Sequence, residues 1–191
     1  MRKAAAESAP EANSGRNRNF GPMASLALPI TEVLVVADCW QAEPGAEAVI
    51  QRAIAVAAEM ADADTGAAEL AVMLTDDAGI RTLNNNWRGI DKPTNVLSFP
   101  ALPPTGPRGP DDAPHMLGDI AIAYQTTRKE ADDEQKPFDH HLGHLAVHGF
   151  LHLIGYDHEN DDDAEAMETL EQAILAQLGI PDPYADRERM D

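Results

Sequence analysis

Apolar positions recur with two different periods along the chain, and the switches between them mark out its elements. Glu32 to Asp38 (EVLVVAD) is a β-branched run that predicts a strand. Pro44 to Ala61 is Ala-rich, with Ile50, Ile54 and Val56 at helical spacing and Pro44 suited to a first turn. Glu69 to Leu74 predicts a second strand. Thr75 followed by Asp76 and Asp77 is a helix N-cap signal, and the helix it opens carries Ile80 and Leu83 and is expected to end near Asn86. Thr94 to Phe99 (TNVLSF) and Leu117 to Tyr124 (LGDIAIAY) predict two further strands. Thr126 to Gln135 reads as a polar helix, and Pro137 to Ile154 as an apolar one rich in histidine. Asp162 to Leu178 is amphipathic, with Met167, Leu170, Ile174 and Leu178 expected inward.

Strands and helices mix without a strict βαβ repeat. The expected architecture is therefore α+β: a single domain with an about four-stranded mixed sheet packed against several helices. The segment Pro103 to Pro114 is dense in proline and glycine and is expected to be a surface loop, with His115 exposed at its end. Residues 1–22 lack apolar periodicity and read as a disordered tail, which assigns the domain to 23–191 and makes Met23 a candidate start. Arg2 and Lys3 are not followed by an apolar stretch before Glu7 and Glu11, so the tail does not read as a secretory signal.

Composition narrows the class. Hydrophobic residues make up 43% of the 191, ordinary for a folded protein, and no run approaches the roughly 20 apolar residues of a membrane span. The lone Cys39 excludes an internal disulfide, fits a reducing cytoplasm, and reads as a small core residue. A formal net charge of −19 argues against non-specific nucleic-acid binding by the chain as a whole.

Charge is also unevenly placed. Between Lys136 and Arg187 there is no Lys or Arg, while Asp157, Glu159, Asp161, Asp162, Asp163, Glu165, Glu168 and Glu171 crowd together. Such a run reads as a solvated helix start, with metal recruitment as the other reading. Arg81, Arg88 and Lys92 instead form a local basic patch where an anionic substrate would be held.

The chemistry centres on His148-Gly149-Phe150-Leu151-His152-Leu153-Ile154-Gly155-Tyr156-Asp157-His158. Residues four apart fall about 40° past a full helical turn, so His148 and His152 share a face. Gly155 suits a left-handed helix end, after which the chain turns back and brings His158 to the same point. Three imidazoles without a fourth ligand in the motif describe a zinc site with one open coordination position. The other reading is a structural zinc whose fourth ligand comes from elsewhere. This spacing is also that of the metzincin peptidases, whose first two ligands flank a glutamate base. Here Gly149 stands at that position. The base must come from elsewhere, or the substrate must bring its own nucleophile, as RNA does with its 2′-hydroxyl. His140, His144, His148 and His152 follow at four-residue steps; His144 is expected a turn below His148, behind the ligands or in the site wall, and His140 and His141 exposed.

LNNNWRGIDKPTNVLSFP (Leu83 to Pro100), LGDIAIAYQ (Leu117 to Gln125) and HLAVHGFLHLIGYDH (His144 to His158) resemble the three signature blocks of the YbeY family of bacterial rRNA maturation factors. The resemblance runs from about Glu69 to Gly179; the N-terminal tail and the Pro103 to Pro114 loop are additions to it. It implies a metal-dependent endoribonuclease acting on single-stranded RNA, with roles in maturing the 3′ end of the small-subunit rRNA and in ribosome quality control. The implied ligands of one Zn2+ are His148, His152 and His158, and the implied catalytic residue is Arg88. Trp87 precedes it where tyrosine is more usual, and reads either as a base-stacking surface or as a core aromatic ending its helix. The implied partners are single-stranded RNA, rRNA and the ribosome or its proteins, in the cytoplasm, without DNA or membrane. A non-enzymatic ribosome-assembly factor with structural zinc and a metzincin-like zinc hydrolase are the alternatives.

Overall fold

Ala68, Leu70, Val72 and Leu74 are buried at alternate positions, so this strand anchors the sheet from its centre. The structure, a computed structural model, describes residues 28–61, 65, 68–102, 115–158 and 160–183. Its strands are β1 (Ile30–Val35), β2 (Ala68–Thr75), β3 (Val96–Pro100) and β4 (His115–Ala123). Its α-helices are α1 (Ala46–Met60), α2 (Asp77–Arg88), α3 (Tyr124–Asp133), α4 (Phe138–Leu153) and α5 (Asp161–Leu178). The tail 1–22 and the Pro103 to Pro114 loop lie outside the described residues.

The strands run in the order β1-β2-β4-β3. β1, β2 and β4 are parallel, and β3 pairs antiparallel with β4 at the edge. The expected α+β domain with a four-stranded mixed sheet is the one observed. Helices α1, α4 and α5 build the larger core on one face, and α2 covers β3 and β4 on the other through Ile80, Leu97 and Ala121. Trp40 is buried in the larger core, its indole N–H donating to the Thr75 carbonyl at 2.8 Å. Among the described residues no helix is long and apolar enough to cross a membrane.

Several boundaries move for local reasons. The α2 cap is Asp76, not Thr75: its Oδ1 accepts from the Gly79 N–H at 2.8 Å. The same helix runs two residues past Asn86 and stops at Gly89, whose φ of 70° is the left-handed geometry of a C-cap. β4 begins at His115 rather than Leu117, so His115 is a half-buried strand residue and not an exposed loop one. Gly118 in β4 has φ 138°, and a side chain there would meet the Phe99 carbonyl of β3 at 2.2 Å. β1 spans Ile30–Val35, and as an edge strand it leaves Ile30, Leu34 and Val35 largely exposed. Cys39 is half-buried against the core.

Helix α4 carries the histidines and lies between α1 and the β3–β4 edge, with α5 across it. Most of its residues are buried, including Leu142, Leu145, Ala146, Phe150 and Leu151. Its other face is the half-buried row His140, His144, His148 and His152, so the histidine spacing reads out the one side of α4 that the core leaves open.

Candidate metal centre

His148 and His152 emerge half-buried on successive turns of α4, their ring centroids 4.7 Å apart. The helix ends at Leu153, and Gly155 takes φ 96°, a conformation that strains any side chain. The Tyr156 N–H then donates to the Leu151 carbonyl at 3.0 Å, turning the chain back over the helix end. This brings the exposed His158 ring to 5.1 Å from that of His152 and 5.9 Å from that of His148. One ligating atom from each of the three lies within 4.8 Å of the others. The expected convergence is therefore present in the geometry.

The outer nitrogens of the two helical histidines are already committed. His148 Nδ1 lies 3.1 Å from Oε1 of Glu171, and His152 Nδ1 lies 3.0 Å from the Tyr156 carbonyl oxygen. A carbonyl and a carboxylate can only accept, so both Nδ1 atoms must donate. In the neutral rings each Nε2 then presents a lone pair, and the two Nε2 atoms face each other at 3.1 Å. Two lone pairs at that distance repel unless something positive lies between them. Burial first, then the neighbouring His148, lower the pKa of His152, which keeps its ring in the neutral form that ligates a metal.

Glu171 is the residue that sequence reasoning placed wrongly. The acidic run it belongs to reads as solvated, yet Glu171 is fully buried on α5 and contacts both His148 and His144, the latter at 3.4 Å. Burial pushes its pKa up, but the hydrogen bonds from His144 and His148 outweigh this and hold the carboxyl well below the usual range. The signal was available in the spacing: Glu171 stands four residues after Met167 and three before Ile174, on the stripe that faces the core. His144 stands behind His148 and shares Glu171 with it, one of the two places expected for it.

His141 corrects a second expectation. It is buried, not exposed, with Nε2 2.9 Å from Glu130 Oε2, and Asn95 Nδ2 donates to the same oxygen at 2.9 Å. Burial raises the Glu130 pKa, but these two hydrogen bonds together with the neighbouring charges, Lys129 among them, leave it below the ordinary carboxylate value. His140 is half-buried.

Gly149 faces the sheet. A Cβ there would sit 3.1 Å from two carbons of Ile120 and 3.2 Å from Ser98 Oγ. A side chain at this position would point into the sheet and need Ile120 and Ser98 to shift.

The basic patch divides. Arg81 is bound bidentately by Asp91, at 2.6 and 2.7 Å. Arg88, the last residue of α2, is exposed and has no ion pair among the described residues. The loop after it is pinned to α2 by Asn84, whose Nδ2 donates to the Lys92 carbonyl at 2.8 Å. It leads into β3, where Ser98 Oγ donates to the Gly149 carbonyl of α4 at 3.2 Å. Trp87 is not a core aromatic: it is 72% exposed.

Fold and pocket together define a class: a mixed-sheet α+β domain in which a buried helix presents a three-histidine pocket backed by a buried carboxylate. A protein-family model described as endoribonuclease YbeY matches residues 38–179. The chain belongs to the YbeY endoribonuclease family. A Bradyrhizobium protein named endoribonuclease YbeY is 77% identical over 164 residues, covering 86% of this chain and 97% of that one. One of the same name from Nitrobacter hamburgensis is 72% identical over 181 residues, 95% of each chain. Another from Rhodopseudomonas palustris is 77% identical over 163 residues, covering 85% of this chain and 96% of that one.

Proposed function

We propose that this protein is a metal-dependent endoribonuclease that cuts single-stranded RNA, matures the 3′ end of small-subunit rRNA and serves ribosome quality control in the cytoplasm. The observation that carries the metal is the pair of Nε2 lone pairs 3.1 Å apart, with both Nδ1 atoms already donating. Zinc–nitrogen bonds of about 2.0–2.1 Å in tetrahedral geometry separate ligand nitrogens by roughly 3.3 Å, close to the 3.1 Å between the two Nε2 atoms; with a His158 nitrogen within 4.8 Å of both, His148, His152 and His158 would hold one Zn2+. When bound, such an ion supplies Lewis acidity toward a phosphoryl oxygen.

Glu171 and the Tyr156 carbonyl hold the His148 and His152 rings in one tautomer and one orientation. Arg88 holds the phosphate and offsets charge developing on its oxygens, a task its planar fork suits. Support for this role comes from its lack of an ion pair and from β3, which packs on α4 next to His148. Gly149 supplies no base, which speaks against a peptidase and favours a substrate carrying its own hydroxyl nucleophile. The surrounding acidity restricts RNA contact to the local patch, and ribosomal proteins would supply the remaining affinity.

Purified full-length protein incubated with single-stranded and with structured RNA, with and without chelator, tests the reading. Cleavage of the single-stranded substrate alone, abolished by chelator and restored by Zn2+, is expected. Cleavage that persists in chelator removes the metal; no cleavage in zinc-loaded protein leaves a structural-zinc assembly factor.

A further inference from the structure

We propose that the Trp87–Phe99 ring pair, flanked by Arg88 and Lys92, is a stacking platform for an unpaired nucleobase of the RNA substrate. The proposal rests on the endoribonuclease reading above and says how that site selects single strands.

Exposure is the first observation. Among the described residues Trp40 is buried, whereas Trp87 at the end of α2 is 72% exposed. An indole is one of the largest apolar groups a chain can bury, so leaving it in water forgoes favourable burial. Nearby Ile90 is also exposed.

Geometry is the second. The Phe99 ring of β3 lies 5.6 Å from the Trp87 ring at an interplanar angle of 56°. Phe99 therefore buttresses the indole from one side and leaves most of its surface open. Contact with Phe99 restricts the indole, which lowers the cost of fixing it when a base stacks on it.

Charge is the third observation, and it selects the ligand. Seven Lys and Arg fall among the described residues: Arg52, Arg81, Arg88, Lys92, Arg128, Lys129 and Lys136. Four are ion-paired, Arg81 with Asp91, Arg128 with Glu43, Lys129 with Asp133 and Lys136 with Glu134. Of the three without an ion pair, Arg88 and Lys92 stand one and five residues from Trp87. In a chain of net charge −19, two unneutralised cations beside an open indole match a ligand with a flat apolar face on an anionic backbone. Asp91, the acid nearest in sequence, is occupied by Arg81.

The shared edge strand is the fourth. Phe99 follows Ser98, whose hydroxyl bonds the backbone of Gly149 beside His148. Leu97 and Phe99 face α2 while Ser98 faces α4, so the platform and the pocket lie on opposite sides of one edge strand. A single strand crossing that edge places a base on the rings and its backbone toward the pocket. A duplex base is stacked on both faces and has none to offer.

Trp40 is buried and Trp87 is not, so a quencher arriving at the platform reads out in the intrinsic fluorescence of the zinc-loaded full-length protein. The probes are a 2′-O-methyl oligoadenylate hexamer and an abasic hexamer of equal charge. The oligoadenylate is expected to quench the exposed tryptophan and to bind about tenfold more tightly than the abasic strand. Trp87→Ala should lose about that factor with an unchanged melting temperature, and Trp87→Tyr should recover most of it. Equal affinity for the two strands, or undiminished oligoadenylate affinity in Trp87→Ala, overturns the platform. Cleavage is scored separately: a wild type that is quenched but does not cut sinks the endoribonuclease reading and supports the platform.

Discussion

Oε1 of Glu171 lies 3.1 Å from Nδ1 of His148, and its other oxygen lies 3.4 Å from Nε2 of His144. One buried carboxylate on α5 thus ties together two successive turns of α4. It fixes which nitrogen of His148 carries the proton, and so which one faces the pocket. Outer partners of this kind change metal affinity by about 10–100-fold when removed. Glu171→Ala is expected to lower zinc affinity by that factor in competition with a chromophoric chelator, and Glu171→Gln by less, since its amide oxygen still accepts. Wild-type affinity in both variants would remove Glu171 from the site.

The ligands themselves are expected to be more sensitive. His148→Ala and His152→Ala should each release the zinc that the purified protein carries at about one per chain. Elemental analysis showing full occupancy in both would refute the assignment.

Acid should weaken both fold and metal. The Glu171 pKa is held below its ordinary 4.5, so its contribution to stability is present above that pH and is lost as pH falls further. The His152 pKa is held below its ordinary 6.5 by burial and by its histidine neighbours. The unfolded chain therefore takes up the His152 proton first, and stability declines as pH drops below 6.5. Neutral imidazole is also the ligating form, so zinc affinity should fall over the same range. Melting curves and zinc titrations between pH 4 and 8 check this; a melting temperature that rises on acidification contradicts it.

Arg88→Ala should keep fold and zinc but lose cleavage by on the order of a hundredfold, the usual loss for one charge-stabilising donor. Arg88→Lys should recover only part, because an ammonium does not make the paired contact. A role in capping or pairing would instead show as a lower melting temperature with unchanged turnover. Asp91, the acid best placed to pair with Arg88 by sequence, is taken by Arg81. Zinc content, melting temperature and cleavage rate on one preparation separate the two.

Gly149→Glu is expected to destabilise the protein by about 1–3 kcal/mol or more, as overpacked cores do, because the side chain would be driven into Ile120 and Ser98. It should not create peptidase activity. A stable variant with new peptide hydrolysis would overturn the account of this position.

What the sequence determined by itself was the local part of the site. A four-residue histidine spacing on a helix and a glycine suited to positive φ depend only on neighbours in the chain. They placed His148, His152 and His158 around one point, and the alternation of periods gave the order of the strands and helices. Partners across the fold were left to tertiary structure. Nothing short-range distinguishes Glu171 from Glu168 until α5 is laid across α4, which buries the first carboxylate against two histidines 23 and 27 residues away. His141 looked like a solvent-facing helix start until α3 brought Glu130 against it. Trp87 could have closed a core, but α2 meets the sheet through Ile80 and Leu83 and leaves the indole outside. Burial and pairing are set by how elements pack, and packing joins residues whose separation in the chain carries no period to read.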